Sequence, residues 1–62
     1  KNARRSIVVS KKIEKGNYFN DKFLTYKRPG TGISPKYWTE IIGKKAKRDL
    51  EQDHILMWDD IE

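Results

Sequence analysis

A mostly β fold, made of short strands joined by turns and single helical turns, is what this sequence predicts. Three observations lead there. The segment SIVVS at residues 6–10 is β-branched, apolar and bounded by charges, the pattern of a short buried strand. Gly16, Pro29, Gly30, Gly32, Pro35 and Gly43 interrupt the chain so often that no helical period lasts beyond about two turns. With 35% hydrophobic and 37% charged residues among 62, only one small core can form.

The elements follow in order. After the first strand, residues 11–16 are polar and end in Gly16, which suits a turn. Asn17, Tyr18 and Phe19 make a very short second strand. Residues 20–23 (NDKF) read as one helical turn with Asn20 as its cap. Residues 24–28 (LTYKR) alternate and are rich in β-formers, so they should be extended. Ser34 followed by Pro35 is a helix start, with serine as N-cap and proline at the first helical position. The helix then carries Tyr37, Trp38, Ile41 and Ile42 for about two turns and stops at Gly43. Residues 44–48 should be extended, followed by a polar turn, an apolar run at 55–58 and a terminal turn at Asp59, Asp60 and Ile61.

A faint internal repeat runs beneath these elements. IEKGNYFNDKFL, from Ile13, aligns with LEQDHILMWDDI, from Leu50, at an offset of 37 residues. The alignment pairs Ile13 with Leu50, Glu14 with Glu51, Phe19 with Leu56 and Leu24 with Ile61. It suggests two similar hooks about an approximate two-fold axis, sharing one core.

Composition excludes several functions. The chain has no cysteine and one histidine, His54, which removes disulfide staples, cysteine nucleophiles and the usual zinc sites. Absent cysteine is compatible with a reducing cytoplasm. No apolar run approaches the roughly 20 residues of a membrane span, and no signal-peptide pattern is present. Because it starts at Lys1 and meets its first apolar run within six residues, the chain reads as a piece of a longer protein. All 14 Lys and Arg lie in residues 1–48 with three acids, whereas residues 49–62 carry six acids and no Lys or Arg. Such asymmetry can mark an anionic partner. The plainer reading is a charged surface whose two ends partly neutralise each other.

Four segments carry a family resemblance: RRSIVVSKKIEKG, KRPGTGISPKYW, IIGKKAKRDL and WDDIE. At these spacings the chain resembles, from about Ala3 to Glu62, the C-terminal antifreeze-like (SAF) domain of bacterial sialic acid synthases. That family includes the legionaminic and pseudaminic acid synthases. The resemblance implies a β-clip fold with internal pseudo-two-fold symmetry over residues 6–62, with residues 1–5 as the linker from an absent N-terminal (β/α)8 barrel. It further implies a domain-swapped homodimer in the cytoplasm. The barrel condenses phosphoenolpyruvate with an N-acylmannosamine-type sugar, using a divalent metal, Mn or Mg, that this domain does not bind. Each antifreeze-like domain covers the barrel mouth of the opposite subunit. By the same resemblance, the arginine of the Lys-Arg-Pro element, Arg28 here, is expected to reach the acylamino group of the neighbour's sugar. No catalytic residue or metal ligand is expected within these 62 residues, so the isolated domain should be inactive.

The residues offer their own reasons for Arg28. A residue before proline is pushed toward extended conformations, so Pro29 should hold Arg28 at a stiff strand end. Pro29 and Gly30 fit the two central positions of a type II turn, with a positive φ at Gly30. Gly32 permits a second bend or the close approach of another backbone. A guanidinium offers planar donors to an amide oxygen and keeps its charge at any working pH. Elsewhere the plainer readings prevail. Lys27 faces solvent, Arg4 and Arg5 lie where the linker enters, and Tyr18 and Tyr26 are half-buried strand residues. Trp38 and Trp58 pack in the core or at its rim. His54 is exposed, and Asp59 and Asp60 are solvated. The glycine loop lacks the P-loop pattern, and no catalytic triad is assembled.

Two other functions compete. A pI near 9.6 and seven aromatics permit nucleic-acid binding, but the aromatics are spaced as core residues and no recognition motif is present. Type III antifreeze proteins share the fold implied by the resemblance. Their flat ice-binding face is here replaced by Lys11, Lys12, Asn17, Tyr18, Asn20 and Lys22.

Overall fold

The computed structural model describes residues 4–62. Residues 1–3, the first part of the expected linker, lie outside the described residues. Strand β1 (Ser6–Val9) is buried along its whole length and pairs antiparallel with β2 (Leu24–Lys27), placing Ser6 opposite Lys27 and Val9 opposite Leu24. Its other edge is also occupied: Leu56 N donates to Ile7 O at 2.9 Å and Val9 N to His54 O at 2.9 Å. A strand buried on both faces reads as a continuous apolar run, which is why residues 6–9 show no polar alternation.

The remaining β structure is made of isolated antiparallel bridges: Val8 with Ile55, Ile13 with Leu50, Tyr18 with Lys45, and Ala46 with Ile61. The extended segments expected at 17–19, 44–48 and 55–58 thus exist as single pairings. The chain turns too often for a ladder to grow. Ile13, inside the segment read as a polar turn, is a core residue with 1% exposure. At residues 20–23 the chain makes a hydrogen-bonded turn rather than a helical one. Asn20 Oδ1 accepts from Lys22 N at 2.8 Å and Asn20 O accepts from Phe23 N at 3.1 Å.

The predicted helix is present as a 3-10 turn (Pro35–Tyr37) running into α1 (Trp38–Ile41). Ser34 caps it by accepting from Lys36 N, and Gly43, with φ of +94°, ends it. A last 3-10 turn spans Trp58–Asp60. No helix among the described residues is long and apolar enough to cross a membrane.

The repeat reappears in the main-chain bonding. Ile13 and Leu50 exchange two hydrogen bonds, at 2.9 and 2.7 Å. Val9 N to His54 O has its counterpart in Ala46 N to Asn17 O, and Leu56 N to Ile7 O in Phe19 N to Lys44 O. Asp53 N to Val9 O is matched by Gly16 N to Ala46 O, and Asp53 and Gly16 share a positive φ of 71° and 88°. Each hook therefore donates to the other what it accepts back. Ile7, Val9, Ile13, Phe19 and Leu24 from the first, with Ala46, Leu50 and Leu56 from the second, form one core that Ile33 and Ile41 complete. Residues 26–42, which include the Arg-Pro-Gly loop and the helix, connect the two hooks and have no repeat partner.

Candidate functional site

The connector leaves β2 at Lys27 and immediately exposes Arg28. Among the described residues, the Arg28 guanidinium has no hydrogen bond and no ion pair. Lys27 beside it reaches Asp53 Oδ1 at 3.3 Å, so the neighbouring charge is tied back while Arg28 stays available. Arg28, Pro29, Gly30, Thr31 and Arg4 line an open depression of about 340 Å³. Two guanidinium-bearing residues and no acid line it, a setting suited to a polar or anionic group.

The loop is held from beneath by β1. Ser6, fully buried, donates through Oγ to Pro29 O and accepts from Gly32 N at 2.8 Å. One turn residue later, Ile7 N donates to Ile33 O at 2.8 Å and Ile33 N to Leu56 O at 3.0 Å. Ser6 was not among the site candidates in the sequence, because a serine opening an apolar strand gives no local sign of the partners it will meet.

The loop geometry corrects one expectation. The Arg28–Pro29 peptide is cis, and positive φ occurs among the described residues at Gly16, Gly43 and Asp53, not at Gly30. A type II turn is therefore absent. Gly30 is required by crowding instead: a Cβ there would stand 2.5 Å from Arg4 Cβ and 3.0 Å from the Arg4 carbonyl carbon. Gly32 satisfies the expectation of a close approach. A Cβ on it would meet Ile55 Cγ2 at 2.5 Å and Leu56 O at 2.6 Å.

A second cluster of polar side chains lies outside this loop and corrects two further readings. Asp60 is not solvated but buried, at 2% exposure, and His54 is half-buried against it. Asp60 accepts from Arg48 Nη1 at 2.7 Å and from Met57 N at 3.0 Å, and its Oδ2 lies 2.8 Å from His54 Nε2. Burial by itself would raise the Asp60 carboxyl. The His54 bond, the Met57 amide, the His54 charge and the Arg48 bond together outweigh it and hold the group below its ordinary value. Asp59, its neighbour, is exposed as expected. The repeat held a signal for this difference, since Asp60 aligns with Phe23, whose ring packs against the core.

The tyrosines and tryptophans sit at the rim, whereas Phe19 is in the core. Tyr26 meets Trp38 edge-on at 5.9 Å, Tyr37 meets Trp58 edge-on at 5.5 Å, and the Arg5 guanidinium lies 5.9 Å from the Tyr26 ring centre. Tyr26, in β2, is half-exposed at 50%, whereas Tyr18 is more exposed, at 58%. Lys11, Lys12, Asn17, Tyr18 and Lys22 are all exposed. Hydrated ammonium groups break up a flat apolar plane, so the protein should give no thermal hysteresis at millimolar concentration. A measurable freezing-point gap in a nanolitre osmometer would overturn that expectation. The six acids of residues 49–62 are largely folded onto the basic segment: Lys12 pairs with Glu51, Lys27 with Asp53 and Arg48 with Asp60, and Asp49 accepts from Lys15 N.

Among the described residues, no three His, Cys, Asp or Glu side chains gather as a metal site.

Comparison with known proteins gives this fold and loop a family. The SAF domain model matches residues 4–62, and the chain belongs to that family. An uncharacterized protein of Methanocaldococcus jannaschii is 48% identical over 59 residues, covering 95% of this chain and 18% of the relative. The pseudaminic acid synthase of Campylobacter jejuni subsp. jejuni is 43% identical over 47 residues, 76% of this chain and 14% of the synthase. Among solved structures, the antifreeze protein like domain of human N-acetylneuraminic acid phosphate synthase superposes with a TM-score of 0.88 at 28% identity. It covers 92% of this chain and 73% of that one. The fold is the antifreeze-like one the resemblance implied, and the chain spans less than a fifth of the length of the two sequence relatives.

Proposed function

We propose that this chain is the C-terminal domain of a sialic-acid-type synthase, in which it caps the active site of the opposite subunit and presents Arg28 to the acylamino group of the sugar. The observation that carries this reading is an exposed arginine without a partner among the described residues, on a loop bonded at both ends to a buried strand. The pseudaminic and N,N'-diacetyllegionaminic acid synthases among the relatives support the class of enzyme, and their match over only a small share of a much longer protein supports a further domain. Condensation with phosphoenolpyruvate, and the divalent metal it uses, belong to the barrel, with residues 1–5 as the link to it. We place the enzyme in the cytoplasm, which suits a chain without cysteine.

The role of Arg28 follows from its chemistry. Its planar donors meet an acyl carbonyl oxygen in the plane of the amide, which fixes the rotation of the sugar as well as its distance. Orientation of this kind contributes to rate by holding the reacting atoms in an attacking geometry. The loop is set before the sugar arrives, so little freedom is lost on binding. Arg28 performs no proton transfer.

Arg28→Ala in the complete synthase should raise KM for the acylamino sugar by about tenfold to a hundredfold, the worth of one or two charge-assisted hydrogen bonds. KM for phosphoenolpyruvate should hold. The melting temperature of the variant should match the wild type, because the side chain is exposed. Wild-type turnover and sugar affinity in this variant would refute the assignment.

A further inference from the structure

We propose that Ser6 is a positioning residue for Arg28: its hydroxyl bridges the two sides of the Pro29–Gly32 loop and thereby sets how Arg28 is presented to the sugar. The inference rests on the reading of Arg28 given above. Ser6 opens a strand whose other residues, Ile7, Val8 and Val9, are apolar and buried. An apolar side chain would serve packing there, and burying a hydroxyl is costly unless it is bonded. This one is bonded twice, as donor to Pro29 O and as acceptor from Gly32 N. Both bonds go to the same short loop, 23 and 26 residues along the chain.

The contacts around Ser6 act in one direction. Lys27, the residue before Arg28, is its cross-strand partner. Arg4, two residues upstream, packs its backbone on Gly30 so closely that no Cβ fits between them. The segment at residues 4–6 therefore touches the arginine loop before, within and after Pro29. Of these contacts the hydroxyl is the one that can be removed without changing backbone geometry. Without it, Gly32 N–H and Pro29 C=O lose their side-chain partner, and the loop keeps its ends at β2 and Ile33 and its packing against Arg4 but no hydrogen bond from Ser6 across it. Arg28 then samples more directions, and binding must select the productive one.

In the complete synthase, Ser6→Ala should raise KM for the acylamino sugar by about tenfold while KM for phosphoenolpyruvate stays at its wild-type value. In the Arg28→Ala background the same change should add less than about twofold, because a positioning residue has nothing left to position. Ser6→Cys has a somewhat larger side chain with a weak donor and a poor acceptor, so it too should lose the bridge and resemble Ser6→Ala in both respects. Hydrogen exchange should quicken at the Gly32 amide and remain slow at Ile13 and Leu50. Equal losses of sugar affinity with and without Arg28, or unchanged exchange at Gly32, would overturn the proposal. Arg28→Ala with wild-type sugar affinity would instead overturn the reading on which it rests.

Discussion

Gly32→Ala should destabilise the domain by about 3 kcal/mol, the upper part of the range for overpacking a filled site. The new methyl would meet Ile55 Cγ2 at 2.5 Å and Leu56 O at 2.6 Å. The first contact is with a β-branched side chain that has little rotamer freedom. The second is with a backbone carbonyl already bonded to Ile33 N, so relief requires moving the pairing that closes the core. In a domain of this size such a loss lowers the melting temperature by roughly 10–20 °C. Gly16→Asp provides the contrast. Gly16 has a positive φ but open space around its missing Cβ, and its repeat partner Asp53 already holds the same conformation. That substitution should cost about 1 kcal/mol or less. Thermal melts of both variants decide the matter: equal losses would mean that crowding at Gly32 is relieved cheaply.

Asp60→Ala should cost about 2–3 kcal/mol at neutral pH, because a buried carboxylate that serves three donors is removed at once. Arg48 and His54 are partly exposed and recover water, which keeps the loss below that of a fully buried pair. The Met57 amide loses its side-chain partner, and the final 3-10 turn (Trp58–Asp60) loses its anchor. The effect carries a pH signature. The folded-state pKa of Asp60 is lowered, so its contribution is complete above the unfolded value of about 3.9 and disappears as pH falls through the folded value. Wild-type stability should therefore drop below about pH 4 more steeply than that of Asp60→Asn. Urea midpoints measured from pH 2 to 7 report this directly, and parallel acid limbs would refute it.

Features set by residues close in the chain are legible in the sequence. The start of the helix at Ser34 and Pro35 and its end at Gly43 are legible because capping is local: the partner of Ser34 Oγ is Lys36 N, two residues on. The offset of 37 was visible in residue types because each hook buries the same positions, Ile13 with Leu50 and Phe19 with Leu56. The arginine loop was legible as a loop, and Arg28 as its exposed cation. Its turn type was not, since Gly30 answers to Arg4 rather than to its own φ. Asp59 and Asp60 look alike in sequence, yet one is exposed and the other buried. The partners that receive Asp60, namely His54, the Met57 amide and Arg48 twelve residues away, make the difference.

By itself the sequence determined the short-strand fold class, the helix limits, the shared core of two hooks and the family. The first three follow from local backbone preference and from which residues avoid water, and the family follows from the resemblance of its motifs. Only the tertiary structure decided that Ser6 bridges the arginine loop, that Asp60 meets Arg48, His54 and the Met57 amide, and that Gly30 is crowded by Arg4. Hydrogen bonds and steric contacts between distant segments depend on where the folded backbone brings them, and nothing local to either partner encodes that meeting.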